Sequence, residues 1–315
     1  MPCYNPKQVP RRADGDLDWT ASRHGLVSKD HWAYLACGKC LGCRTAKARE
    51  WSIRCYHEGL LHDRHWRSPD GVTTVVPNSC AVTLTYSPEF LPEDGHLNHT
   101  HFQKFIRKLR KNRGVRSVRY FMAGEYGGKT QRPHYHALLF GLDFDDRRRV
   151  VRPDGQEVQM SLELANTWAR GDATVDAFDF GAAGYIAGYI AKKQGQHFDP
   201  RRWQTLTRPD GSIIYRDPAP EYRRMSRAPG LGRYWIEQNL DQVYAHDLIR
   251  IGPYTFKPPA FYDQVLKEHR PEEHALLMER RLAGESERSK EWNLERAKTA
   301  GNVFASSLSL RSDSL

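Results

Sequence analysis

The chain has 315 residues, with 48 lysines and arginines against 38 aspartates and glutamates, a formal net charge of +10. That length supports one large domain or two small ones, and core formation is not limited by size. No run approaches the roughly 18 apolar residues of a membrane span, and Met1-Pro2-Cys3-Tyr4-Asn5-Pro6-Lys7 lacks a signal-peptide core, so no membrane partner and a cytoplasmic location are expected. Six cysteines in a chain of this size do not make a disulfide framework, and three of them cluster. The basic balance, with many arginines and aromatics, favours a phosphate-rich partner, although a basic protein that binds none has the same composition.

Residues 1–36 read as polar and irregular, with Trp19, Trp32 and Tyr34 as anchors. Next, Cys37-Gly38-Lys39-Cys40-Leu41-Gly42-Cys43 compresses two Cys-x-x-Cys steps into one tight turn. Cys-x-x-Cys lets two thiolates reach one tetrahedral zinc. A structural Zn²⁺ on Cys37, Cys40 and Cys43, with Cys3 or Cys55 as fourth ligand, is expected; the competing reading is buried reduced thiols at a helix start. From Arg44 to about His62 the spacing is helical, with Trp51 and Cys55 on one face and Ile53, Tyr56 and Leu60 on another. Ser68-Pro69-Asp70-Gly71 is a turn. Ser79 to Tyr86 alternates as a strand, Cys80, Val82, Leu84 and Tyr86 against Thr83 and Thr85. A helix capped by Asn98 or Thr100 follows, with an apolar stripe of Phe102, Phe105, Ile106 and Leu109. Lys104, Arg107, Lys108, Arg110 and Lys111 occupy its other side, by default a solvated face.

Two strands come next, Ser117 to Tyr126 and Arg132 to Phe140. Successive side chains of a strand alternate, so His134 and His136 share a face while Tyr135 points back. If the strands form a hairpin, Glu125 returns beside the histidines and completes a two-His-one-carboxylate set with open positions. An exposed strand can also carry His-x-His without function. The junction Ala123-Gly124-Glu125-Tyr126-Gly127-Gly128-Lys129-Thr130 nearly matches a phosphate-binding P-loop. A P-loop needs a helix to begin at its Lys-Thr, whereas here Pro133 and a strand follow, so an NTPase is excluded.

Beyond that hairpin, Arg152-Pro153-Asp154-Gly155 and Arg208-Pro209-Asp210-Gly211 read as hairpin turns, and Ser161 to Arg170 as a short helix. Gly181 to Lys193 reads as a helix with Tyr185 and Tyr189 at i and i+4 on one face and Lys192 in register with them. Gly184 and Gly188 leave the surface thin beside the tyrosines, so a bulky ligand could approach; packing is the competing role of such a pair. Residues 222–236 interleave arginines, glycines and aromatics, which suits single-stranded nucleic acid, or a loop before a helix. From about Pro271 to Thr299 a charged helix is expected, and residues 305–315 read as a disordered serine-rich tail.

In order and combination these stretches resemble the replication initiators of the HUH endonuclease superfamily, in particular the microvirus (gokushovirus-like) replication-associated proteins of small single-stranded DNA phages. Ala81-Val82-Thr83-Leu84-Thr85-Tyr86 looks like the first motif of that family. Arg132-Pro133-His134-Tyr135-His136 looks like its His-hydrophobic-His motif, with a semi-apolar tyrosine as filler. Tyr185-Ile186-Ala187-Gly188-Tyr189-Ile190-Ala191-Lys192 looks like its paired-tyrosine motif. The cysteine turn and Met225-Ser226-Arg227-Ala228-Pro229-Gly230-Leu231-Gly232 look like microvirus-specific segments.

The resemblance implies an α+β fold, a central antiparallel sheet with a ferredoxin-like core flanked by helices. It implies an N-terminal region over 1–78, an endonuclease core over 79–240 and a helical extension over 241–304. It also implies that Glu125, His134 and His136 hold Mg²⁺ or Mn²⁺, and that Tyr189 or Tyr185, helped by Lys192, attacks the origin in single-stranded DNA. Tyr189 is favoured for the first cut because it is nearer Lys192 in sequence. A 5′-phosphotyrosine link and a free 3′-hydroxyl result, to be used by a host helicase and DNA polymerase in the host cytoplasm. The competing functions are a related transposase or relaxase, a metal hydrolase or oxygenase on the same triad, and a non-enzymatic DNA-binding zinc protein.

Overall fold

The structure is a computed structural model that describes residues 3–10, 32–68, 70–71, 73–127, 132–193, 204–207, 211, 213–216, 219–289 and 294–312. Its elements begin with β1 (Lys7–Pro10), β2 (Trp32–Leu35), α1 (Leu41–Leu60), β3 (Arg64–Arg67), β4 (Thr73–Val76), β5 (Ser79–Thr85) and α2 (His99–Arg113). Then come β6 (Arg119–Tyr126), β7 (Pro133–Phe140), β8 (Arg148–Val151), β9 (Glu157–Met160), α3 (Leu162–Trp168), β10 (Ala173–Ala177) and α4 (Phe180–Lys193). The remainder is β11 (Gln204–Thr207), β12 (Ile213–Arg216), β13 (Tyr222–Met225), α5 (Arg233–Gln238), α6 (Leu240–Tyr244), β14 (Ile249–Ile251), β15 (Tyr254–Phe256), α7 (Ala260–His269), α8 (Pro271–Ser289) and α9 (Leu294–Ser312). The class is α+β. The chain forms two compact units, Met1–Lys47 with Ala275–Leu315, and Ala48–His274.

The second unit is built on a seven-stranded sheet in the order β13-β6-β7-β5-β10-β9-β8, with every neighbouring pair antiparallel. Both faces of its central strands are covered, which is why β6 and β7 read as nearly continuous apolar runs interrupted only by polar residues of the site. On one face Cys80, Val82, Leu84, Met122, Tyr135, Ala137 and Leu139 pack with Phe102, Phe105, Ile106 and Leu109 of α2 and Leu164 and Trp168 of α3. On the other, Ala81, Phe121, Ala123, Leu138 and Phe140 pack with Cys55 of α1 and Ala183, Ile186 and Ala187 of α4. The helices end where local chemistry dictates. Asn98 caps α2 by accepting from the Thr100 N–H, and Gly114 closes it at φ 63°, a left-handed turn that only glycine adopts freely. Ser161 accepts from the Leu164 N–H to cap α3.

Four expectations change. Residues 1–36 are not wholly irregular, because Lys7–Pro10 pairs with Trp32–Leu35; strands of four residues so far apart carry no hairpin signal. Residues 222–225 are an edge strand, β13, paired to β6, and an edge strand tolerates arginine because one side stays open. The glycine-proline stretch after β13 is packed into the unit: Leu231 is fully buried, and Arg119 Nη2 donates to the Pro229 carbonyl at 3.1 Å. The C-terminal helix α9 runs to Ser312 through residues expected to be disordered; Ala305, Leu308 and Leu310 are good helix formers among those serines.

In the first unit, described by itself, Tyr4 packs on Phe304 of α9 with ring centroids 6.0 Å apart. Gly301 permits the approach, since a Cβ there would lie 2.9 Å from Cβ of Tyr4.

Candidate metal centre and tyrosine helix

The site is assembled by strand register. β6 and β7 pair so that Glu125 lies opposite His134 and Ala123 opposite His136, while β5 sets Thr85 opposite His134 and Thr83 opposite His136. The alternation of β7 sends both imidazoles to the face covered by α1 and α4. The Gly127 N–H donates to the Arg132 carbonyl at 3.0 Å and closes the hairpin on either side of residues 128–131, which lie outside the described residues. Glu125, His134 and His136 therefore converge, their ligand atoms all within 4.8 Å of one another.

The hydrogen bonds say what the cluster is suited to hold. His134 Nδ1 lies 3.1 Å from the Arg132 carbonyl, and His136 Nδ1 lies 3.0 Å from Thr83 Oγ1. A carbonyl only accepts, so Nδ1 of His134 carries a proton and the neutral ring keeps its lone pair on Nε2. Nε2 of both rings nevertheless points at one oxygen, Oε1 of Glu125, at 2.7 and 2.9 Å. The His134 lone pair aimed at a carboxylate repels it unless a proton or a metal cation intervenes. The other oxygen, Oε2, is buried and has no hydrogen-bond partner. Burial alone would raise the pKa of Glu125, but the contacts with His134 and His136 outweigh it and hold the carboxyl down at about 2. A fixed anion with an orphaned oxygen, flanked by two oriented imidazoles, fits a divalent cation.

Tyr135, the residue between the two histidines, anchors the strand from behind. Its hydroxyl donates to the Asn98 carbonyl at 2.8 Å, accepts from the Asn98 N–H at 3.0 Å and lies 2.9 Å from the Tyr86 hydroxyl. The cap of α2 is thus tied to the strand that presents the imidazoles. Thr83 and Tyr135 were not singled out as site residues. The alternation of β5 that leaves Thr83 off the apolar face was the available signal.

α4 lies along the same face. Asp179 starts it by accepting from the Ala182 N–H at 2.6 Å, and Ala183, Ile186 and Ala187 pin it to the sheet. Tyr185 sits edge-on to His136, ring centroids 6.0 Å apart, and is 58 % exposed. A phenol in that position is reachable from solvent and stands at the rim of the cluster. Tyr189 and Lys192 belong to the same helix, but their side chains lie outside the described residues. An added Cβ at Gly188 would meet nothing within 4 Å.

Cys3, Cys37, Cys40 and Cys43 form a second group able to hold a metal. Of the two residues left open as fourth partner, Cys3 is in the group. Cys55 lies in the core of the other unit, where burial drives its thiol pKa up. No helix among the described residues is long and apolar enough to cross a membrane.

The family described as replication-associated protein ORF2/G2P matches residues 79–194, the stretch from β5 through α4. The replication-associated protein VP4 of Bdellovibrio phage phiMH2K is 29% identical over 282 residues, covering 86% of this chain and 79% of the relative. The replication-associated protein ORF2 of Spiroplasma virus 4 is 31% identical over 296 residues, covering 88% and 83%. The replication-associated protein ORF4 of Chlamydia phage 1 is 25% identical over 196 residues, covering 59% and 44%. No solved structure matches the chain.

Proposed function

The chain belongs to the microvirus family of replication-associated proteins, and from that premise we propose that it is an HUH-type endonuclease that starts and ends rolling-circle synthesis by cutting and rejoining single-stranded DNA at the origin. The observation that carries this reading is Tyr185 at the rim of the Glu125, His134 and His136 cluster. An exposed phenol beside a cation site on a rigid helix is the arrangement that phosphodiester attack by tyrosine requires.

Glu125, His134 and His136 would hold the ion, Mg²⁺ or Mn²⁺. When bound, it supplies Lewis-acid stabilisation of the negative charge that develops on the scissile phosphate. Tyr185 and Tyr189 are the nucleophiles. The phenol loses its proton, its oxygen bonds to phosphorus, the bond from phosphorus to the 3′ oxygen breaks, and that oxygen takes up a proton. One end becomes a 5′-phosphotyrosine and the other a free 3′-hydroxyl for a host polymerase, behind a host helicase. Lys192, in register with the tyrosines, favours the phenolate electrostatically. One phosphoester replaces another, so no nucleotide is consumed, and the freed 3′-hydroxyl can later attack the link and close the circle. Two tyrosines allow one to hold the parental end while the other cuts after a full turn.

The test is a cleavage assay on end-labelled single-stranded origin DNA with Mg²⁺ or Mn²⁺, resolved on denaturing gels. We expect a protein adduct on the 5′ end that needs the metal and is lost in the Tyr185→Phe/Tyr189→Phe double variant; the single variants rank the two hydroxyls. Cleavage without an adduct would make the chain a hydrolytic nuclease and overturn the tyrosine mechanism.

A further inference from the structure

We propose that Cys3, Cys37, Cys40 and Cys43 hold one Zn²⁺ ion in a closed tetrathiolate site, and that this ion is the organising centre of the first unit. The inference rests on no part of the nuclease reading.

The geometry is that of a single ion. All the sulfurs lie within 4.8 Å of one another. Two pairs that share no residue, Cys37 with Cys43 and Cys3 with Cys40, are separated by 4.0 and 3.9 Å. Four sulfurs each about 2.3 Å from a tetrahedral zinc stand about 3.8 Å apart along every edge, so two opposite edges already have nearly the required length. A disulfide needs its sulfurs at about 2.0 Å, so neither pair is one. Sulfurs this close enclose one ion and leave no room for a multi-iron cluster.

The backbone is arranged to receive negative charge on these sulfurs. The Cys37 N–H donates to Cys3 Sγ at 3.2 Å. The Lys39 and Cys40 N–H groups donate to Cys37 Sγ at 3.4 and 3.2 Å. The Tyr4 and Cys43 N–H groups donate to Cys40 Sγ at 3.4 and 3.5 Å. A neutral thiol is a weak acceptor that does not need converging amides, whereas a metal-bound thiolate does. Thiolate donors select zinc among the common divalent ions, and four protein ligands leave no open position, so the site is structural. Loading exchanges protons only: four thiols lose theirs to solvent, the ion takes their place, and no oxidant or reductant takes part.

What the ion does follows from how little else holds this unit. Among the described residues its buried apolar side chains are Cys3, Val9, Pro10, Cys43, Leu277 and Ala297, and two of those are ligands. So small a core needs a staple. The ion would join Cys3 to the turn at residues 37–43 and to the start of α1. Tyr4, next to Cys3, rests on Phe304 and over Gly301, so α9 would be held through the same point.

The experiment measures metal in the purified full-length chain, kept reduced and dialysed against enough EDTA to strip loosely held Mg²⁺ and Mn²⁺. We expect one tightly held zinc per chain, retained in His134→Ala/His136→Ala and lost in Cys37→Ser/Cys40→Ser. Because the cysteine variant can lose metal by failing to fold, wild-type chain reloaded with Co²⁺ gives an independent reading. A tetrahedral thiolate site produces intense sulfur-to-cobalt charge transfer and strong visible ligand-field bands. A chain that retains no zinc, loses it with the histidines instead of the cysteines, gives only weak octahedral cobalt spectra or carries iron overturns the proposal.

Discussion

Thr83 Oγ1 and the Arg132 carbonyl each hold one Nδ1 of the two site histidines, at 3.0 and 3.1 Å. These contacts select the ring orientation and leave each Nε2 aimed at Glu125 Oε1. The Arg132 contact comes from the backbone and no substitution removes it, whereas Thr83→Val deletes a hydroxyl and keeps the shape. Outer partners of this kind are worth roughly 10- to 100-fold in metal affinity. Titration calorimetry with Mn²⁺ should therefore show Thr83→Val weakened by about that factor with a nearly unchanged thermal midpoint; equal affinity would mean that packing alone orients His136. The pH dependence has a definite sign. Hydrogen bonds hold the Glu125 carboxyl down at about 2 against the pull of burial, so it stays ionised at any pH at which the protein is handled. Both imidazoles must offer unprotonated Nε2 atoms to a cation. Mn²⁺ affinity should fall as pH falls, because protons compete with the ion for the ligand atoms, and Glu125→Gln should weaken binding at every pH.

The elements that carry the site are locked together by one buried carboxylate. Glu58 on α1 accepts from Arg119 Nε on β6 and, through its other oxygen, from the Gly232 N–H at 2.8 Å; His62 Nε2 lies 3.5 Å away. Burial pushes the Glu58 carboxyl up, but those donors outweigh it and bring the pKa from 4.5 to about 2. A folded value below the unfolded one means that the stabilisation is complete above about 4.5 and is lost as pH falls from there towards 2. The shift corresponds to about 3 kcal/mol. Glu58→Gln should thus lower the unfolding free energy at neutral pH by about 3 kcal/mol, since it leaves the partly buried Arg119 guanidinium without its anion. It should also flatten the acid limb; urea titrations between pH 7 and 2.5 would reveal an unflattened limb if the assignment were mistaken. α4 offers the opposite trade. Gly188 meets no neighbour that would resist a Cβ, and glycine inside a helix costs roughly 0.5–1 kcal/mol relative to alanine. Gly188→Ala should raise the thermal midpoint. If the glycine is there to let DNA approach the tyrosines, adduct formation should fall in the same variant; a stabler chain with full cleavage would show that the thin surface has no part in binding.

At the scale of the whole chain, what the sequence made legible is what repeats locally. The alternation of β5 and β7, the stripe of α2 and the i, i+4 tyrosines of α4 each name a face, and two adjacent strands joined by a short loop bring Glu125 to His134 without further information. Long-range pairings carry no such signal. Neither the docking of β13 beside β6 nor the choice of Cys3 over Cys55 has a local pattern. The Thr83 hydroxyl becomes a partner of His136 only through a register that α2 and the sheet set together. Charge is the property that sequence gives in total and structure has to distribute. Of the +10, Lys104, Arg107 and Lys111 are exposed on α2, whose buried stripe packs on the sheet face opposite the histidines. DNA engaged at Tyr185 as proposed would lie on the other face, so these three cations would be a solvated surface for that complex. Single-strand binding should weaken steeply with salt, each phosphate contact adding about 0.7 to the slope of log affinity against log salt. The Lys104→Ala/Arg107→Ala/Lys111→Ala variant should keep the wild-type slope to within about one such contact and cleave at the wild-type rate on saturating DNA. A slope reduced by two or three contacts would place the strand across both faces of the sheet, and the path of the DNA would have to be redrawn around α2.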